Sequence, residues 1–409
     1  MDSLRLAVIA VCLAGVVVDG AGYSQYANLS AVFHEAPMSI GDCFAECNKF
    51  TPKGNEGFTC TSAKYIPNGG LCRLLLDKDE CTSGSHDCEE TCVNTWGGYK
   101  CECTGDKLLS SDGRTCQIPF NTATFTNLGA TGRTGPTSIG SHYDGQDHEG
   151  MVTLINGIQF FTIPMTGNYR IEVKGAAGGC DQNQNNCQHR ALGAVVAGTF
   201  SLNAGDELKI LVGQMGPVNT YSSTGGGGGT FVTRADDTPL IIAGGGGGVE
   251  TPSAAYDTCG GTTSTTGNNG YGGSAWPGGS NGQGASTADS SNSGGGGGGL
   301  LTDGRSSSQY GGSGTGGEGG KAFVNGGVGG RSKYYGSANY NADGGFGGGG
   351  GAYGNGGGAG GGGGYSGGAS GDNNSNSCGG GGGSYNSGSN TTGTSKAHNG
   401  HGSVTITRQ

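Results

Sequence analysis

Charge is scarce in this 409-residue sequence. Only 13% of the residues are Asp, Glu, Lys or Arg, against roughly 25% in an ordinary domain, and the balance is acidic at -10. So few basic residues leave no electrostatic footprint for nucleic acid or an anionic membrane surface. Beyond residue 18 no apolar run approaches the roughly 18 residues that a membrane-spanning helix needs. The final Ser-Val-Thr-Ile-Thr-Arg-Gln does not read as the hydrophobic tail of a lipid anchor. Proline is rare too, with 10 residues beside 96 glycines and no three-residue period, which excludes collagen. No catalytic constellation is legible, and no Gly-Lys-Ser/Thr follows a strand, so the glycine runs are not phosphate loops. An enzyme is not expected.

What is present points outside the cell. Arg5 precedes an apolar run from Leu6 to Val18, which suits a signal-peptide core and is too short to cross a bilayer. Small residues at Gly20, Ala21 and Gly22 place cleavage near Gly20. Of 15 cysteines, Cys12 falls in that leader, and the remaining even number suits a disulfide framework. Ten of them crowd between Cys43 and Cys116, whereas 83 of the glycines lie beyond residue 119. The chain thus divides into a leader (1–20), a cysteine-rich segment (21–76), a six-cysteine module (77–116) and a glycine-rich domain (120–409).

The six-cysteine module reads Asp77-Lys78-Asp79-Glu80-Cys81, then Cys88, Cys92-Val93-Asn94-Thr95, Tyr99-Lys100-Cys101, Cys103 and Cys116. A segment this short cannot bury an adequate core, so covalent bridges must substitute. The spacing closely resembles the calcium-binding EGF family over the full module. That resemblance implies the bridges Cys81–Cys92, Cys88–Cys101 and Cys103–Cys116. Calcium takes six to eight oxygen ligands. The family supplies them from positions matching Asp77, Glu80 and Asn94 by side chain, and Lys78 and Thr95 by carbonyl. Asp79 matches the family's Asp/Asn position, and Asn94 with Tyr99 matches its hydroxylation pattern at Asn94. Calcium in such modules would stiffen a joint.

Upstream, Cys43 and Cys47 stand four apart in Ile-Gly-Asp-Cys-Phe-Ala-Glu-Cys, the spacing of one helix face. Cys60 and Cys72 sit in strand-like pieces. Four cysteines allow three connectivities. The pattern resembles the PAN/apple family, which implies Cys43–Cys72 and Cys47–Cys60.

In the glycine-rich domain, strand-like segments interrupt the glycine. Tyr169, Ile171 and Val173 alternate along one, Leu208, Ile210 and Val212 along another, and others run through 157–165, 194–202, 230–233, 239–243 and 403–407. Period-two alternation with Gly and Asn breaks predicts an antiparallel sandwich. If Val404 and Ile406 complete that sheet, the intervening glycine is a long excursion held at both ends. An excursion of that length is expected to be ordered. The ordered motifs Gly-Asn-Tyr-Arg-Ile-Glu-Val-Lys-Gly-Ala, Gly-Asp-Glu-Leu-Lys-Ile-Leu-Val-Gly, Pro-Leu-Ile-Ile-Ala-Gly-Gly-Gly-Gly-Gly and the closing Gly-His-Gly-Ser-Val-Thr-Ile resemble the glycine-rich extracellular domain of the anaplastic lymphoma kinase and leukocyte tyrosine kinase receptors. The fold implied is a mainly β, jelly-roll-like (TNF-like) sandwich with inserted left-handed polyglycine helices, preceded by the small disulfide-rich modules. The receptors bind small protein ligands, but they carry the EGF module after this domain. Cys180 and Cys187 bracket a short loop and can close on each other, which leaves Cys259 with Cys378.

His142, Asp144, Asp147, His148 and Glu149 cluster in one stretch that reads as a metal site or as a solvated loop. Asn28, Asn373 and Asn390 sit in glycosylation sequons. The function expected is a secreted, non-enzymatic, calcium-binding multidomain protein that engages extracellular proteins or glycans in the matrix. The alternatives are a soluble ligand-capturing relative of those receptor ectodomains, or a structural protein of an adhesive or mineralised matrix.

Overall fold

The computed structural model describes residues 30–33, 58–66, 71–95, 98–105, 107–110, 112–117, 120–181, 187–288, 291–337 and 340–409, with the backbone alone in 30–33, 58–66, 71–78 and at 117. The expected leader (1–20), Asn28, Cys43 and Cys47 lie outside these residues, as do the side chains of Cys60, Cys72, Asp77 and Lys78. The chain forms two units, Met1–Pro119 and Phe120–Gln409.

In the first unit, strands β1 (Ser30–Phe33), β2 (Phe58–Ile66) and β3 (Leu71–Lys78) form an antiparallel sheet in the order β1-β3-β2. β3 runs unbroken past the division drawn at residue 76, still paired at Phe58↔Lys78. The single-turn helix α1 (Glu80–Ser83) follows at once, capped by Asp79 at its start and by left-handed Gly84 at its end. β4 (Thr91–Thr95) and β5 (Gly98–Glu102) make a hairpin, and β6 (Leu108–Leu109) pairs with β7 (Cys116–Gln117). Bridges join Cys81 to Cys92, Cys88 to Cys101 and Cys103 to Cys116. Cys101 is the one buried side chain among the described residues of this unit, so the bridges stand in for a core.

The second unit is a sandwich of two antiparallel sheets. β8 (Thr122–Phe125), β11 (Gly167–Lys174), β13 (Gly193–Leu202), β21 (Ser389–His398) and β22 (Ser403–Arg408) form one, in the order β21-β13-β11-β22-β8. β9 (Val152–Ile155), β10 (Ile158–Thr162), β14 (Glu207–Leu211), β16 (Thr230–Arg234), β17 (Pro239–Ala243) and β20 (Tyr385–Asn386) form the other, in the order β20-β17-β16-β14-β10-β9. Short pairs β12 (Cys180–Asp181) with β15 (Val218–Asn219), and β18 (Val249–Glu250) with β19 (Ser377–Cys378), stand apart. The core between the sheets takes the alternating residues Tyr169, Ile171 and Val173 of β11, Leu208 and Ile210 of β14, and Val404 and Ile406 of β22. β22, nearly 160 residues beyond β17, sits between β11 and β8. The long excursion leaves at Ala243 and returns at Tyr385, where β20 pairs with β17 at Ile242↔Tyr385.

The glycine runs of that excursion are bonded backbone to backbone. In the run 294–299 the amides of Gly294 and Gly297 donate to Gly371 and Gly368, those of Gly295 and Gly298 to Gly351 and Gly348, and those of Gly296 and Gly299 to Arg305 and Thr302, at 2.7–3.1 Å. The bonding direction repeats every third residue, and three neighbouring segments are served in turn. A strand would repeat every second residue. A repeat of three is that of a polyproline II-type helix, which has no internal hydrogen bonds and so leaves every amide for a neighbour. The run 360–365 does the same toward 224–227, 295–298 and 380–383. Close approach explains the residue type: a methyl on Gly298 would lie 2.5 Å from the Lys321 carbonyl oxygen, and on Gly294 it would overlap that of Ala359.

The 142–149 stretch is a turn-rich loop in which His142, Asp144 and Glu149 are exposed to solvent, while Tyr143 and His148 anchor it in the core. Asp147 accepts the amides of Asn121 and Thr122 at 2.9 and 3.0 Å, and Glu149 accepts that of Gly145. His148 is fully buried against Tyr143 at 4.3 Å and Phe125 at 5.0 Å, and neither ring nitrogen has a hydrogen-bond partner. Burial lowers its pKa, with Asp147 opposing. A histidine whose folded pKa lies below its unfolded value near 6.5 is proton-poor in the fold, so stability is full above that value and falls as pH drops below it. Wild type should therefore lose thermal stability relative to His148→Phe between pH 7.5 and 5.5. Parallel melting curves across that window would refute this.

Candidate calcium site and tyrosine surface

The sequence-predicted calcium residues fall at the end of β3 (Asp77, Lys78), at the start of helix α1 (Glu80) and at the end of β4 (Asn94, Thr95). Asp79 is committed to the helix, its Oδ1 accepting the Thr82 amide at 2.9 Å and its Oδ2 the Thr82 hydroxyl at 2.7 Å. These bonds hold its carboxyl below the usual range. Glu80, the next residue, has a carboxylate oxygen, Oε2, that is buried with no hydrogen-bond partner. An enclosed carboxylate oxygen left in that state is costly unless a cation completes it, so Glu80 fits the calcium ligand expected there. Asn94 and Thr95 close β4 opposite Tyr99 and Gly98. The Tyr99 hydroxyl donates to Asp87 Oδ1, which raises the Tyr99 pKa, and Arg114 pairs with the other Asp87 oxygen at 2.7 Å. His86, Cys88 and Cys92 also converge, but both sulfurs are already in bridges and cannot serve as thiolate ligands.

In the second unit, the bridges are Cys180–Cys187 and Cys259–Cys378. Asn390 is exposed on β21, while Asn373 is half-buried beside Asp372. The tyrosines divide into two sets. Tyr365 and Tyr385 stack at 4.8 Å against a buried cluster that includes Phe231 and Phe346. Tyr334, Tyr340 and Tyr353 instead join Tyr221 at the surface, with ring centroids 4.7 to 5.5 Å apart. Next to Tyr334, exposed Tyr335 lies under Arg133 at 5.6 Å, and Tyr310 lies under Arg331 at 4.5 Å. Arg331 is held flat by buried Glu318, through Nε–Oε2 at 2.6 Å and Nη2–Oε1 at 3.0 Å. The Arg331 contact keeps the Glu318 carboxyl below its ordinary range against the opposing effect of burial. Sequence reading missed Tyr221, Tyr310, Arg133 and Arg331, because only the tertiary packing gathers them.

No family model matches the chain. Part of it is 37% identical over 97 residues to the leukocyte tyrosine kinase receptor of Mus musculus, covering 22% of this chain and 11% of that protein. Another comparison gives 46% identity over 45 residues to matrilin-1 of Bos taurus, 11% of this chain and 8% of that one. Tolloid, a dorsal-ventral patterning protein of Drosophila melanogaster, is 43% identical over 44 residues, 11% of this chain and 4% of tolloid. The chain thus spans only about a tenth or less of these relatives. No helix among the described residues is long and apolar enough to cross a membrane.

Proposed function

We propose that this is a secreted, non-enzymatic, calcium-binding protein that engages extracellular proteins or glycans in the matrix through the tyrosine surface of its glycine-rich unit. The observation that carries this reading is the clustering of Tyr221, Tyr334, Tyr340 and Tyr353 beside arginines stacked on Tyr310 and Tyr335. Tyrosine and arginine dominate binding hot spots, and here they stand on a scaffold with little freedom to move. Five bridges among the described residues suit an oxidising compartment, and the likenesses to matrilin-1 and to a receptor point the same way. On this reading 1–20 is a signal peptide, 21–76 is PAN/apple-like, 77–116 is EGF-like and 120–409 is related to the receptor domain. Asn28, Asn373 and Asn390 would carry glycans, and Asn94 would be hydroxylated.

Binding of the immobilised full chain to matrix proteins and glycans should weaken about tenfold, near 1.4 kcal/mol, in Tyr221→Ala and Tyr340→Ala variants with unchanged melting. Undiminished binding in both would remove the surface from the account. The likeness to leukocyte tyrosine kinase receptor favours a second reading, capture of a small protein ligand in solution. Recovery of the native protein as a monomer from fluid would favour that reading. Extraction only with denaturant or chelator would favour a matrix role.

For calcium, Glu80 and Asn94 would supply side-chain oxygens together with Asp77, and Lys78 and Thr95 carbonyl oxygens. The ion would neutralise Glu80 and hold the end of β3 to the hairpin. Extracellular modules bind calcium at about 10⁻⁴–10⁻³ M. Millimolar calcium should therefore slow proteolysis near Lys78 several-fold in wild type and leave Glu80→Gln unaffected. Equal cleavage of wild type with calcium and with chelator would count against the site.

A further inference from the structure

Asp181 and Glu250 are both interior carboxylates, 1% and 3% exposed. They come from different elements. Asp181 ends β12, in parallel register with Asn219 of β15. Glu250 ends β18, opposite Ser377 of β19. The Thr251 amide, next in the chain to Glu250, donates to Asp181 Oδ2 at 2.6 Å, and the Asp181 charge acts on the Glu250 carboxyl. Glu250 Oε2 is enclosed and has no hydrogen-bond partner. The Ser222 hydroxyl bonds to Glu250, and Ser222 is presented by a turn that Asn219 Nδ2 ties down through the carbonyls of Ser222, Ser223 and Gly354 at 2.7–3.1 Å.

We propose that Asp181 and Glu250 are the anionic half of a buried divalent-cation site of the calcium class, with the Ser222 hydroxyl as a further oxygen donor. Two carboxylates and a hydroxyl are hard oxygen donors, which select calcium over zinc or copper. Two buried negative charges repel each other and must be neutralised. Burial first, and the Asp181 charge second, push the Glu250 carboxyl up to about 8, so either a proton or a cation can meet that need. The Arg190 guanidinium lies 3.5 Å from both Met215 Sδ and Cys180 Sγ. The pair joins β12, β18 and the 219–223 turn, which border the glycine helices, so an ion here would clamp that border. The site is independent of the one at Glu80.

Hydrogen exchange of the full chain tests this at pH 7.5, in 1 mM calcium against chelator. The amides at 180–181, 219–223 and 249–251 should exchange about tenfold more slowly with calcium, as a dissociation constant near 10⁻⁴ M requires. That protection should persist in Glu80→Gln and vanish in Glu250→Gln, with Asp181→Asn as the second variant should the first misfold. Protection at 79–95 reports the other site separately. Unchanged exchange at 180–181, 219–223 and 249–251 in wild type would overturn the proposal. So would protection that survives in Glu250→Gln.

Discussion

Replacing Gly297 with alanine is expected to unfold the glycine-rich unit at ambient temperature or leave it close to unfolding. The added methyl would overlap the Gly362 carbonyl oxygen and would lie 2.9 Å from the Gly368 amide nitrogen. Both belong to backbone already hydrogen-bonded on its other sides, so neither can withdraw without breaking bonds to a third segment. Overpacking a core costs about 1–3 kcal/mol where side chains can repack. Here only backbone is available to move, and the cost should exceed about 3 kcal/mol, a large share of the 5–15 kcal/mol that a domain commonly has. Gly311→Asn is the control, because Gly311 has φ +83° and open space around its Cβ position, and asparagine tolerates that conformation. Denaturant unfolding should separate the two variants clearly, and equal midpoints would refute the packing account. Native-state exchange gives a second check: amides at 294–299 and 360–364 should be among the slowest in the chain, although their sequence reads as a flexible linker.

The second large effect belongs to Cys259–Cys378. The bridge spans 119 residues, nearly the whole glycine excursion. Loop-closure entropy for a span near 100 residues is about 4–5 kcal/mol. The case for that magnitude is stronger here than in an ordinary loop, because glycine chains gain the most backbone freedom on unfolding. The double variant Cys259→Ser/Cys378→Ser should thus lower stability by about 4 kcal/mol. Cys180→Ser/Cys187→Ser, with a separation of 7, should cost markedly less. Comparable losses in the two variants would mean that the long bridge does not act through the unfolded chain.

Much of the sandwich was legible because its strands carry the alternation themselves. Tyr169, Ile171 and Val173 face the core together, and Val404 with Ile406 complete the same sheet. β21 was not legible. Its sequence, Ser-Asn-Thr-Thr-Gly-Thr-Ser-Lys-Ala-His, has no apolar face, and it is a strand because β13 offers it partners. The division at residue 76 followed the cysteine motif, whereas β3 continues to Lys78 because backbone pairing pays no attention to that motif. His148 read as a polar residue among acids, yet its ring lies among Phe125, Tyr143 and Phe161. Glu250 gave no signal at all. It follows a glycine run, and its relation to Asp181 arises only when segments 70 residues apart in sequence meet.

A threefold helix made of one residue type has a property that a mixed sequence lacks. Sliding such a segment by three residues past its neighbours restores every hydrogen bond, so the lattice cannot by itself distinguish correct from shifted alignment. The phase must be set by the few positions that are not glycine. Phe346 interrupts its run to enter the cluster of Leu211, Phe231, Ile242, Leu300 and Phe323, and Ala285, Ala359 and Ala369 are fully buried between runs. These side chains act as index marks on an otherwise uniform ruler. The interior of this protein is therefore held together by its commonest residue and told how to assemble by the few side chains that interrupt it.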